Sequence, residues 1–211
     1  KPAGLLTAAR DSRAPTVMQL LPESCARRKV LPVGRLDKDT TGLLLFTNDG
    51  ELAHRLLSPK RHVWKTYEAT VTGRLTAADE EAFARGITLS DFTALPAQME
   101  ILSAGEDESR ARVQVREGKF HQIKRMFGAL GHEVTALSRL TFGALRLPAE
   151  LPPGQYRELT EEELSALREE AGLTEPEGTK MPDHYYTQTP TSAHKPGQVD
   201  FLWRGAKLVF E

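Results

Sequence analysis

Val33-Gly34-Arg35-Leu36-Asp37-Lys38-Asp39-Thr40-Thr41-Gly42-Leu43-Leu44-Leu45-Phe46 sets an acidic residue after a Gly-Arg-Leu turn and then runs into four large apolar residues. So short an apolar run falls well below a membrane span and reads as a buried strand. The stretch therefore predicts a carboxylate at the lip of a strand that enters the core, a placement suited to chemistry. Asp, Lys, Thr and Gly are also ordinary turn residues, and on this stretch alone a solvated turn is the plainer reading.

The surrounding composition bounds the answer. A chain of 211 residues holds one or two domains and a sizeable core. Hydrophobic content of 39% and charged content of 27% mark an ordinary globular protein rather than a disordered one. No apolar run approaches the length of a membrane helix. No signal peptide is visible, and a chain beginning at Lys1 is expected to lack its natural N-terminus. The single cysteine, Cys25, rules out an internal disulfide and a multi-cysteine zinc site, and it fits a reducing cytoplasm. The net charge of −1 hides an asymmetry: residues 1–150 carry 22 Lys and Arg against 18 Asp and Glu, and residues 151–211 carry 6 against 11. A mildly basic body with an acidic tail is compatible with a nucleic-acid partner.

Working outward, Lys1 to Ala8 reads as a turn and a short strand, and Thr16 to Leu21 as a short helix stopped by Pro22. Cys25 to Lys29 reads as a loop whose Arg27, Arg28 and Lys29 suit phosphates. Gly50 to Ser58 is a predicted helix. Lys60, Arg61, His62 and Lys65 then interleave with Trp64 and Tyr67, a pattern suited to a polyanion with stackable bases. Val63 to Thr72 has strand composition, a helix follows from Thr76 to about Arg85, and Leu95 to Leu102 with Arg110 to Arg116 reads as a hairpin. Lys119 to Leu130 predicts an amphipathic helix with Phe120, Ile123, Phe127 and Leu130 on its core stripe and His121, Gln122, Lys124 and Arg125 off it. His132 to Phe142 and Ala144 to Leu147 read as strands. Thr160 to Glu163 opens a helix with a capping box that runs to about Ala171. Strands and helices mix without a regular βαβ repeat, so the fold class is α+β, a mostly antiparallel mixed sheet with flanking helices. The expected organisation is a domain over residues 1–171, a polar linker over 172–182, and a segment of different character over 183–211.

Four segments in order resemble the motifs of the pseudouridine synthases. They are Gly34-Arg35-Leu36-Asp37 with Thr40-Thr41-Gly42-Leu43-Leu44; Lys65-Thr66-Tyr67; Glu117 to Phe127; and Leu137-Ser138-Arg139 with Phe142-Gly143. The likeness covers about residues 1–170. Its His-Gln-Ile-Lys-Arg-Met-Phe form is similar to the branch that modifies the small ribosomal subunit, which implies a uridine of 16S ribosomal RNA, free or in an assembly intermediate, as substrate. The resemblance implies that the uridine N1–C1′ bond breaks, the base turns, and the base rejoins through C5. No atom leaves the nucleotide skeleton and no redox step occurs, so neither cofactor nor metal is expected. It assigns Asp37 as the carboxylate that attacks or stabilises positive character at the sugar. Tyr67 would stack on the target base, and Lys124 would keep the Asp37 carboxylate ionised. Arg35 would fill the gap left when the base leaves its stack. Lys60, Arg61, Lys65, His121, Gln122, Arg125 and Arg139 are expected RNA contacts, and Asp39 is expected to be a turn or cap residue. The family's members carry an S4-type RNA-binding domain before the segment that opens here. Residues 181–211 instead resemble the start of a class I ribosomal RNA guanine methyltransferase. A cytoplasmic monomer is expected.

Two rival readings remain at this point. Asp37-Lys38-Asp39-Thr40 also matches the DxDxT start of a magnesium-dependent phosphatase, though Arg35 interrupts the apolar strand such an enzyme needs and no parallel βαβ scaffold is evident. The other is a non-catalytic RNA-binding module that keeps the fold.

Overall fold

The computed structural model describes residues 1–173 and the short strand Val209–Phe210. The element order, short 3-10 turns aside, is α1 (Glu23–Arg27), β1 (Leu31–Pro32), β2 (Thr41–Gly42), β3 (Leu44–Thr47), α2 (Gly50–Leu57), β4 (Lys65–Thr72), α3 (Ala77–Arg85), β5 (Gln98–Ala104), β6 (Glu108–Val115), α4 (Gln122–Ala129), β7 (Val134–Phe142), β8 (Leu145–Arg146), β9 (Tyr156–Arg157), α5 (Glu161–Glu170) and β10 (Val209–Phe210). The main sheet runs β2-β7-β4-β6-β5 with β8 on β7, and a second runs β1-β3-β10-β9. Among the described strands only β2 and β7 pair parallel, and every other strand pair is antiparallel. The α+β reading therefore holds, and the parallel scaffold of a DxDxT phosphatase is not found among the described residues.

The run Leu43–Phe46, which supplies most of β3, is apolar because core lies on both of its faces. Leu43 and Leu45 pack with Leu52 and Leu56 of α2, Phe142 of β7 and Leu167 of α5. Leu44 and Phe46 point the other way, onto Val17, Val30 and Leu36. A strand with core on both faces needs a hydrophobic residue at every position. A third cluster fills the space between the main sheet and the α3/α4 layer, where the Phe83 and Phe127 rings meet at 4.8 Å.

The helix ends follow their local chemistry. The Asp49 carboxylate accepts from the Leu52 amide at the start of α2, and Thr160 and Glu163 form the expected capping box at the start of α5. Three local expectations are corrected. Of the expected loop Cys25 to Lys29, residues 25–27 belong instead to a short helix, Glu23–Arg27. The first eight residues contribute only an isolated bridge, Leu6 to Thr16, rather than a strand. Phe120 leaves the core stripe of α4 and is 71% exposed, because the helix begins only at Gln122 and Gln122 and Met126 take core positions with Ile123 and Phe127. The methyltransferase-like reading of residues 183–211 lies outside the described residues, except for the backbone of β10.

Candidate active site

Asp37 sits in the loop between β1 and β2, and the N-terminal segment holds that loop. Thr7 Oγ1 donates to the Leu36 carbonyl at 2.8 Å and accepts from the Leu36 amide at 3.2 Å. The Gly4 amide donates to the Lys38 carbonyl at 2.7 Å. The buried Lys1 ammonium donates to the carbonyls of Lys38 and Thr40 at 3.1 and 2.8 Å. Burial pushes the Lys1 ammonium down to about 8, with Asp39 and Asp37 pulling the other way. Leu36 anchors the loop from below in the Val17–Phe46 cluster. Gly42 closes it: its φ of +104° and the Arg139 backbone against it leave no room for a Cβ.

α4 supplies the partners of the carboxylate. Lys124 Nζ lies 3.5 Å from Asp37 Oδ2, and His121 Nε2 lies 3.4 Å from Asp37 Oδ1. Lys124 makes its hydrogen bonds to Asp39 instead, at 2.6 and 2.8 Å to the two carboxylate oxygens. That bond holds the Asp39 carboxyl below the usual carboxylate range. One ammonium thus serves two carboxylates, and Asp39 is a partner of the site rather than a simple turn residue. The sequence carried no signal for this pairing, which joins positions 85 residues apart. His121 caps α4 in the left-handed region, φ +47° and ψ +33°, an uncommon conformation for a side-chain-bearing residue.

These groups open onto one cleft of about 80 Å³, lined by Arg35, Leu36, Asp37, Thr40, Tyr67, Val115, Glu117 to Lys119, His121 to Lys124 and Leu137. Tyr67 reaches it from β4, beside a register shift between Thr66 and Tyr67 in the pairing with β7. The structure thus brings together Asp37, Tyr67, Lys124, Arg35, His121 and Gln122.

The remaining expected RNA contacts divide. Lys60 and Arg61 are exposed on the 3-10 turn after α2, outside the cleft lining. Arg125 pairs with Asp91 and stacks on Phe92. Gln122 is buried, donates to Glu117 and accepts from the Lys119 amide, so it shapes the cleft wall and presents little to a ligand. Lys65 and Arg139 are corrections. Lys65 is 7% exposed and donates to the Val63 carbonyl; Arg139 is 2% exposed and donates to the Leu43 carbonyl. Both cations lie against the Phe142 ring, facing inward from central strands, and cannot reach a phosphate. Among the described residues no three His, Cys, Asp or Glu side chains converge as a ligand set for a metal.

Comparison with known proteins places this geometry. A family model described as RNA pseudouridylate synthase matches residues 1–129. An uncharacterized RNA pseudouridine synthase of Bacillus subtilis is 46% identical over 170 residues, covering 80% of this chain and 71% of the relative. Ribosomal small subunit pseudouridine synthase A of Escherichia coli is 41% identical over 169 residues, covering 79% and 71%. The crystal structure of a pseudouridylate synthase superposes with a TM-score of 0.73 at 38% identity, covering 79% of this chain and 70% of that one. The cleft around Asp37 thus lies within a chain that belongs to the RNA pseudouridylate synthase family, an enzyme class of uridine isomerases.

Proposed function

We propose that the chain converts one uridine of 16S ribosomal RNA, of the uridine 516 type, to pseudouridine, as a cytoplasmic monomer acting on the RNA or on a small-subunit assembly intermediate. The observation that carries the reading is the Asp37 carboxylate, held at the cleft between Lys124 and His121 with Tyr67 on the wall. The likeness to ribosomal small subunit pseudouridine synthase A supports the choice of RNA.

The chemistry asks for little beyond a placed carboxylate. The N1–C1′ bond breaks with its electron pair going to N1, the base turns within the cleft, and C5 bonds to C1′; the C5 proton leaves and N1 takes up a proton, so the nucleotide's composition is unchanged. Asp37 serves either as a nucleophile or as the counter-charge to positive character at the sugar. Lys124 and His121 aim it, Tyr67 stacks on the base and assists proton transfer, and Arg35 takes the space of the extruded base. Lys60 and Arg61 offer charge for backbone phosphates. Residues 1–171 form the catalytic unit in this reading.

The test is incubation with 16S ribosomal RNA lacking pseudouridine. New sites are mapped by carbodiimide modification and primer-extension stops. One new stop that disappears with Asp37→Asn, while RNA binding stays within about twofold, is the expected result. Full turnover by Asp37→Asn removes Asp37 from its role, and binding without any stop from the wild-type chain reduces the protein to an RNA-binding module.

A further inference from the structure

We propose that the outward face of Phe120 is a stacking subsite for a nucleobase adjacent to the reacting uridine, an inference that rests on the uridine isomerase reading above. Phe120 is the most exposed large apolar side chain among the described residues, at 71%. Solvent exposure of a phenylalanine wastes apolar area that the core could have used. The core beneath α4 is complete without it, filled by Ile123, Met126 and Phe127.

The ring is nonetheless placed. It lies flat on the His121 imidazole, with ring centres 3.8 Å apart and planes 19° apart. That imidazole lines the cleft, with Nε2 3.4 Å from the Asp37 carboxylate. The left-handed backbone at His121 sets both rings at the rim, and such strained conformations gather where a site is pre-organised. One face of Phe120 is therefore covered by a wall of the cleft, and the other is open to solvent one ring-thickness away. A uridine seated at Asp37 leaves its neighbour in the strand at this rim. A flat apolar face there suits a base of any identity, because every base has a π-face. Lys119, exposed at the same rim, offers charge to the connecting phosphate.

The test uses a short single-stranded RNA carrying the target uridine, with 2-aminopurine placed in turn at each flanking position and at one distant position. Wild-type protein should quench one flanking probe well beyond the distant one. Phe120→Leu, which keeps the apolar bulk, should lose that quench and raise KM about 5- to 150-fold, with kcat at saturating RNA within about threefold. Phe120→Trp should retain both. Thermal melting of each variant confirms an intact fold. A Phe120→Leu protein with wild-type KM and wild-type quench overturns the subsite, as does a flanking probe that is never quenched. Pseudouridine formation in the same tubes separates the two ideas: wild-type turnover without a wild-type quench sinks the subsite alone, and an absence of wild-type turnover both here and on 16S ribosomal RNA or assembling subunits sinks the isomerase reading.

Discussion

Replacing Lys124 by Met tests whether the shared ammonium organises the reacting carboxylate. Coulomb's law at 3.5 Å and an effective dielectric of ~20 gives an Asp37–Lys124 attraction of roughly 5 kcal/mol. Solvent weakens this, since the two side chains are 28% and 22% exposed, and Asp39 competes through two shorter bonds. About 1 kcal/mol remains for aiming and holding the carboxylate. If Asp37 is the reacting group, as proposed, that loss falls on the barrier, and kcat should drop about fivefold. RNA affinity should stay within about twofold. The assay is single-turnover tritium release from RNA labelled at uridine C5, with affinity measured by filter retention at two salt concentrations. Lys124→Arg keeps the charge and should recover most of the rate, short of full recovery because a planar fork cannot repeat the same geometry. A Lys124→Met protein with wild-type kcat refutes the reasoning. So does a loss lying wholly in affinity with a shallower salt dependence, which would make Lys124 a phosphate contact.

Two further outcomes test the frame around the site. Burial, with Arg139 adding to it, pushes the Lys65 ammonium down to about 8, so between pH 8 and the ordinary lysine range the unfolded chain holds a proton the folded chain has released, and stability rises with pH across that window. Lys65→Met should therefore stabilise the protein at neutral pH by about 1–2 kcal/mol and flatten that rise, leaving the share due to Lys1; urea unfolding at neutral and alkaline pH reads this, and a less stable variant at neutral pH contradicts it. Gly42→Ala should cost more than ~3 kcal/mol, because a Cβ collides with the Arg139 backbone at a left-handed φ. A melting temperature lowered by less than about 2 °C would show that the loop relaxes around it.

What could be read from the sequence was what the chain encodes locally. The carboxylate before a continuous apolar run, the α5 capping box and the β4 strand depend on neighbours a few residues away, and each stands in the structure. The fates of Lys65 and Arg139 do not. A cation on a strand of suitable composition reads as a surface charge; whether it turns inward depends on which strand pairs beside it, and both lie on the central β4–β7 ladder. Phe120 misled for a different reason. Counting at helical spacing put it in phase with Ile123 and Phe127, but phase has meaning only inside the helix, and the left-handed His121 breaks the helix just after Phe120. Asp39 reads as a turn or cap residue because its neighbours are turn residues and its partner is remote in the chain.

On the proposed function, the same remote pairing bears on how an anionic RNA can approach. Asp37, Asp39 and Lys124 together carry one net negative charge beside the cleft, which by itself repels phosphate. The cleft lining adds Arg35 and Lys119, both exposed, against the one further acid Glu117, so the lining itself leans positive beside those three groups. Had Lys124 been bound only to Asp37, the reacting carboxylate would be neutralised and tied down before the nucleotide arrived. Asp39 takes the short bonds instead, and Lys124 stands 3.5 Å from the Asp37 carboxylate. Pre-organisation of this kind depends on distances more than on burial. In the proposed reaction it leaves the Asp37 carboxylate partly open to solvent while the backbone of Leu36, Lys38 and Thr40 beside it is held by hydrogen bonds.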